Sequence, residues 1–172
     1  MRFLVLALVL IIPTVASAQR RDDALTLARV CAHEAGWSAF ADCAAIYDVL
    51  RGGAARYGMS LTAYAHSYSG RALRAQTSRP WVATLRADGG EPVAWPASYG
   101  PWARYRASWL ALLDYARALV AGTVSSDCEE PPHDWGGDMD SDRAERLGLI
   151  PIECGQTRNR FYLRPSLVAD RE

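Results

Sequence analysis

The chain has 172 residues, half of them apolar, with 19 basic and 19 acidic side chains. A nucleic-acid binder carries a basic excess, and this balance excludes one, so no nucleic-acid partner is expected. Every basic residue is arginine, which reads as coding bias rather than function.

The N-terminus places Arg2 before an apolar run over residues 3–12, then Pro13 and the small residues Ala16-Ser17-Ala18. This is the tripartite pattern of a cleavable export signal over residues 1–18. The apolar run is about ten residues, too short for a permanent span. A retained N-terminal anchor is the alternative, and the Ala-x-Ala ending argues against it. No cysteine lies near the cleavage point, so no lipid anchor is expected. No second stretch is long enough to cross a bilayer, so no stable membrane insertion is expected. Residues 19–172 then form a single monomeric domain, free in the periplasm or outside the cell, and large enough for a full core.

Asp22 and Asp23 read as the start of a first helix over residues 24–36, with Leu27, Cys31 and Glu34 on one face and Gly36 as its stop. Ser38 is placed to cap a second helix reaching about Arg51, with Phe40, Cys43, Ile46, Val49 and Leu50 on one side. The short connection makes the pair an antiparallel hairpin. Gly52-Gly53 and Gly58 loosen the chain, and Ser60 caps a short helix over residues 61–67. Residues 68–101 read as irregular, yet they carry Tyr68, Trp81, Trp95 and Tyr99, and long loops are often functional. The longest helix covers residues 102–121. Its buried stripe is Trp102, Arg106, Trp109, Leu112, Leu113, Ala116, Leu119 and Val120, and Gly122 ends it. A short helix is expected near residues 142–147, and a strand or hairpin within residues 150–163. The fold class is therefore mostly α, with a minor C-terminal hairpin.

Cys31, Cys43, Cys128 and Cys154 are an even set in an exported chain, which points to disulfides. Three pairings are possible on paper. The layout favours Cys31–Cys43 and Cys128–Cys154, because each pair flanks one local chain reversal. A zinc site would want a C-x-x-C step, which is missing, so no metal is expected.

Glu34 is the residue most suggestive of chemistry. It falls in the last turn of the first helix, where the helix dipole disfavours a charged carboxylate, and burial against Trp37 acts the same way. A carboxyl kept protonated is what a general acid needs when an acetal oxygen leaves. The bland alternative is an ordinary solvated glutamate. His33-Glu34 opens a zinc-protease H-E-x-x-H motif, but position 37 is Trp and the motif fails. A site built from His33, His66 and His133 has nothing in the spacing to support it. Asp134, Asp138, Asp140 and Asp142 mimic part of a calcium loop without its glycine and closing glutamate. No G-x-S-x-G elbow is present for a serine hydrolase. Trp37, Tyr68, Trp95, Tyr99, Trp135 and Tyr162 lie outside the helical stripes and suit stacking on sugars, with core packing as their plainer role. Trp135 in His133-Asp134-Trp135-Gly136-Gly137 stands out, since paired glycines allow a tight bend or a close approach.

Three segments carry a resemblance. AHEAGWSAFADCAAIYDVL (32–50), WLALLDYARALVAGTV (109–124) and CGQTRNRFYLRP (154–165) resemble the spore-cortex-lytic type of cell wall hydrolases, a lysozyme-like set of lytic transglycosylases. The likeness would cover roughly residues 24–164. The four cysteines and the HDWGG segment depart from the family pattern. The resemblance implies a lysozyme-like helical domain without cofactor, acting on peptidoglycan glycan strands, with Glu34 as the catalytic acid. Trp37, Tyr68, His133, Trp135, Asn159 and Tyr162 are the expected substrate contacts, and Asp134 is the candidate second carboxylate that simple hydrolysis would need. A non-catalytic, disulfide-stabilised glycan-binding or envelope-assembly domain of the same fold is the alternative.

Mass mapping of non-reduced peptides should link Cys31 with Cys43 and Cys128 with Cys154; crossed links or free thiols would show the hairpin placement to be wrong.

Overall fold

A computed structural model describes residues 2–68, 79–136 and 141–169, with side chains described from residue 16 onward and none for Ser141. Six α-helices are described: α1 (Arg2–Glu34), α2 (Phe40–Arg56), α3 (Leu61–Tyr68), α4 (Ala103–Ala121), α5 (Ser141–Arg146) and α6 (Pro165–Val168). Three short strands, β1 (Asp134–Gly136), β2 (Ile150–Ile152) and β3 (Arg160–Leu163), form an antiparallel sheet in the order β1-β3-β2. The protein is mostly α with a small sheet, as the periodicity predicts.

The helical ends follow the expected chemistry in part. Gly36, at φ 94°, stops α1, and its N–H joins that of Ala35 on the Cys31 carbonyl. Gly122, at φ 74°, ends α4 in the left-handed conformation that favours glycine. Ser60 caps α3, its Oγ accepting from the Ala63 N–H at 3.1 Å.

Other ends differ from the sequence reading. α1 does not begin after Asp22-Asp23; it is continuous from Arg2, because residues 17–21 contain nothing that breaks a helix. Asp23 caps a different helix, its Oδ1 accepting from the Thr62 N–H and hydroxyl at 3.1 and 2.8 Å. Ser38 does not cap α2: the residue at that position is Ala39, with no side-chain hydrogen bond. α2 also runs past Gly52-Gly53 to Arg56. The reason lies in packing, since the face of Gly53 is filled by the Tyr64 ring of α3, and any Cβ there would overlap that ring. Glycine costs helix propensity at this position and permits the α2–α3 contact.

The core is shared by α1, α2 and α4, with Leu27, Val30, Ile46, Leu50, Trp109, Leu112, Leu113 and Leu119 nearly inaccessible to solvent. The predicted stripe of α4 holds except at its edges. Arg106 is exposed and Val120 half-buried, and Arg106 reaches over to donate from Nε to the Gly89 carbonyl. Phe40 likewise stays at the surface of α2, where its ring meets Tyr115. Both predicted disulfides are formed, Cys31–Cys43 across the α1–α2 turn and Cys128–Cys154 between the segments leading to β1 and β3.

The aromatic-rich segment before α4 is packed rather than open. Short 3₁₀ turns cover Pro80–Thr84 and Ala97–Tyr99. Three indole N–H groups fasten it down: Trp109 donates to the Arg86 carbonyl, Trp102 to Gly89 and Trp95 to Gly100, at 2.7–3.0 Å. Each ring buries apolar area while its one donor satisfies a loop carbonyl that would otherwise be stranded. Arg29 of α1 does the same for the Leu85 carbonyl.

Gly53→Ala should lower stability by about 1–3 kcal/mol through overpacking against Tyr64. Gly52→Ala, one residue away and facing open space, should be neutral or stabilise by up to about 1 kcal/mol. Urea denaturation of the two variants checks the contrast.

Candidate functional site

Glu34 is the last residue of α1, one turn beyond the disulfide-bonded Cys31. Its side chain is 28% exposed, partly sheltered and partly open to solvent. Oε1 lies 3.4 Å from Nδ1 of His33, and the His33 carbonyl accepts from Arg79. Three residues on, Trp37 occupies the turn between α1 and α2. Its ring stacks on Trp81 at 5.4 Å and meets Trp95, Trp102, Tyr105 and Trp109 edge-on or tilted, all within 6.4 Å. Trp37 therefore anchors the Glu34 turn to the aromatic core. Aromatic pairs of this kind add about 0.5–1.5 kcal/mol each beyond area burial, so the turn is rigid.

A second group of expected residues assembles around β1. Asp134 is completely buried and both of its oxygens are engaged. Oδ1 accepts from the Tyr68 hydroxyl and from the Trp135 N–H, and Oδ2 accepts from Arg164 at 2.7 Å, with Arg143 at 3.5 Å. Burial, then the neighbouring carboxylate, pushes the Tyr68 hydroxyl well above its ordinary pKa, so it stays a proton donor to Asp134. The Tyr68 and Trp135 rings lie 4.7 Å apart. His133 is buried too; its Nδ1 accepts from the Arg164 N–H, which puts the ring proton on Nε2. Tyr162 pairs with Asp134 across the β1–β3 ladder. Tyr68 of α3, His133 just before β1, Trp135 of β1 and Tyr162 of β3 thus gather around Asp134.

This arrangement alters the reading of Asp134. A base that activates water must present a lone pair to solvent, and this carboxylate is enclosed by two arginines, a phenol and a backbone N–H. Its role is to join α3, β1, α5 and the start of α6. Of the remaining acids of the calcium-like spacing, Asp142 is exposed in the first turn of α5, while Asp138 and Asp140 lie outside the described residues, as does Gly137. Among the described residues, no group of three His, Cys, Asp or Glu side chains is placed to hold a metal ion, and no helix is long and apolar enough to cross a membrane.

Asn159 lies on the loop entering β3. The residue that holds it is Asp42, which sequence reasoning missed. Asp42 sits in the first turn of α2 and is 1% exposed. Its carboxylate accepts from the Arg158 N–H at 3.0 Å and from the Asn159 N–H at 2.7 Å. The signal available was an acid directly before Cys43 on the apolar side of a helix. A buried carboxylate demands donors, but only the fold could say which.

Comparison with protein families, with curated proteins and with solved structures finds no match for this chain.

Asp134→Asn should cost about 3 kcal/mol, the lower end for breaking a buried ion pair, because both arginines keep part of their hydration. Arg117→Ala, which removes an exposed pair with Asp114, should change stability by at most about 1 kcal/mol. Denaturation midpoints of the two variants test whether Asp134 is a structural keystone.

Proposed function

We propose that this protein is an exported peptidoglycan-cleaving glycosidase of lysozyme-like, lytic-transglycosylase type, with Glu34 as its single acid and base. The observation that carries the reading is the placement of Glu34: partly exposed, at the C-terminal end of a core helix, between a disulfide and a packed tryptophan. A general acid for glycosidic cleavage must be a carboxyl within reach of a ligand, and Glu34 is a partly exposed one held on a rigid turn.

In the proposed reaction, Glu34 gives its proton to the oxygen linking N-acetylmuramic acid to N-acetylglucosamine. The bond from C1 to that oxygen breaks as positive charge develops on the sugar ring. The 6-hydroxyl of the same muramyl residue then attacks C1, and the Glu34 carboxylate takes up its proton. The product is a 1,6-anhydro sugar, and the enzyme returns to its starting state without water or cofactor. One carboxyl suffices on this route, whereas hydrolysis uses two. The enclosure of Asp134 among Arg143, Arg164 and Tyr68 supports the one-carboxyl route over hydrolysis with Asp134 as partner. Tyr68, His133, Trp135, Asn159 and Tyr162 are the proposed glycan contacts, and Trp37 anchors the turn that carries the acid. The two disulfides suit an oxidising periplasmic or extracellular setting, where the substrate is found.

The unmodified protein should clear purified peptidoglycan in a gel assay, and Glu34→Gln should abolish clearing while glycan binding persists. Absence of clearing by the unmodified protein across a wide pH range would sink the enzyme reading. Masses of anhydro-muropeptides, as against reducing ends, should identify the transglycosylase product.

A further inference from the structure

A cleft of about 530 Å³ opens between α1 and α4, lined by Arg20, Arg21, Ala87, Arg117, Val120 and Ala121. The two helices run antiparallel. Trp37, just past α1, meets Trp102 and Trp109 near the start of α4, whereas Arg20 and Arg21 meet its last turn. The cleft therefore lies about 20 Å from Glu34 along α1. Three guanidinium groups rim it, and no acidic side chain lines it. Arg117 donates to Asp114, a 71% exposed residue outside the cleft, and no ion pair holds Arg20 or Arg21 among the described residues. Neither Asp22 nor Asp23, next along α1, lines the cleft. Asp23 accepts from the Gln19 amide at 3.0 Å and from the Thr62 hydroxyl at 2.8 Å, which ties the turn bearing both arginines to α3.

We infer that this cleft docks the headgroup of an anionic phospholipid at a membrane surface, its phosphate on the arginines and its aliphatic part on the floor. Guanidinium groups present paired N–H donors that match phosphate oxygens, and the arginine stems can lie along apolar surface while their heads reach the rim. The floor of Ala87, Val120 and Ala121 is aliphatic. No aromatic ring lines the cleft, so a nucleotide base or a sugar face has nothing to stack on, whereas methylene groups have a surface to cover. Location selects a lipid over a soluble phosphate. α1 is continuous from Arg2, so the apolar run over residues 3–12 lies on the helix that carries the arginines. About 12 Å of helix separates Ile12 from Arg20. When that run enters a bilayer, Arg20 and Arg21 emerge just outside the hydrocarbon, within side-chain reach of the phosphates. The contact is with headgroups and adds no span, and it does not rest on the glycan-cleaving reading of Glu34.

The test is flotation of the full chain with vesicles of phosphatidylcholine alone, and of phosphatidylcholine and phosphatidylglycerol at about three to one. Neutral vesicles report whatever the apolar run contributes, so the ratio of the two affinities isolates the cleft. The unmodified protein should prefer the anionic vesicles by about a hundred-fold, since each arginine at such a surface supplies about five-fold. Arg20→Gln, Arg21→Gln and Arg117→Gln should each cut the preference about five-fold, and the three together should remove it. Ala121→Glu, which sets a carboxylate in the cleft at an exposed position, should cut it at least as far. Arg104→Gln removes the same charge from an exposed site at the other end of α4 and should leave the preference unchanged. Free glycerol phosphate, at the phosphate concentration the vesicles present, should not displace the protein. Equal binding to both vesicles overturns the inference. So does a preference that survives the triple variant, or one that falls as far with Arg104→Gln. Displacement by glycerol phosphate overturns it as well, by showing a site for soluble phosphate instead. Peptidoglycan clearing tests Glu34 and has no bearing on this ratio.

Discussion

The Cys31–Cys43 disulfide is the constraint on which the rest of the arrangement depends. It closes a short loop between two core helices, and loops of this size are stabilised by about 3 kcal/mol relative to the open chain. Its larger effect is geometric. Fixing the two cysteines fixes their neighbours: Glu34 one turn on along α1, Trp37 in the turn itself, and Asp42 directly before Cys43 on α2. Each neighbour then organises a different part of the molecule. Trp37 gathers the rings that precede α4, Asp42 captures the loop before β3, and Glu34 is left partly open to solvent.

Two kinds of interaction hold the irregular parts of the chain against this helical frame. Indole N–H groups satisfy loop carbonyls while their rings fill the core, so the segment before α4 is rigid without regular structure. Buried carboxylates do the complementary work for donors. Asp42 takes two backbone N–H groups and Asp134 takes a phenol, a backbone N–H and arginine. Neither acid behaves as a surface charge, and their burial is tolerable because every oxygen finds donors. Glu34 differs from both in exposure and surroundings.

Much of the fold was legible in the chain. The helical hairpin, the capping role of Ser60, the glycine stops at Gly36 and Gly122 and both cysteine pairings follow from local rules of spacing and dihedral preference, and the structure has them all. The errors cluster where tertiary packing overrode those rules. Gly52-Gly53 reads as a helix end because glycine disfavours helices, yet α2 continues because Tyr64 occupies the space that a side chain at Gly53 would need. Asp23 reads as the start of α1 and instead caps α3. Strand β1 was hidden in HDWGG, since three residues are too few for alternation to register, and its pairing partner lies in the tail.

For the candidate site the division is similar. The sequence by itself determined which residue types were on offer: a glutamate at a helix end, aromatics outside the helical stripes, an even set of cysteines. It could do so because helix ends, periodicity and cysteine counts are local properties of a chain. Only the tertiary structure decided what each acid could do, since burial and hydrogen-bond partners come from segments far apart in sequence. It enclosed Asp134 with Tyr68 and Arg164, set Asp42 to hold Asn159, and left Glu34 within reach of solvent.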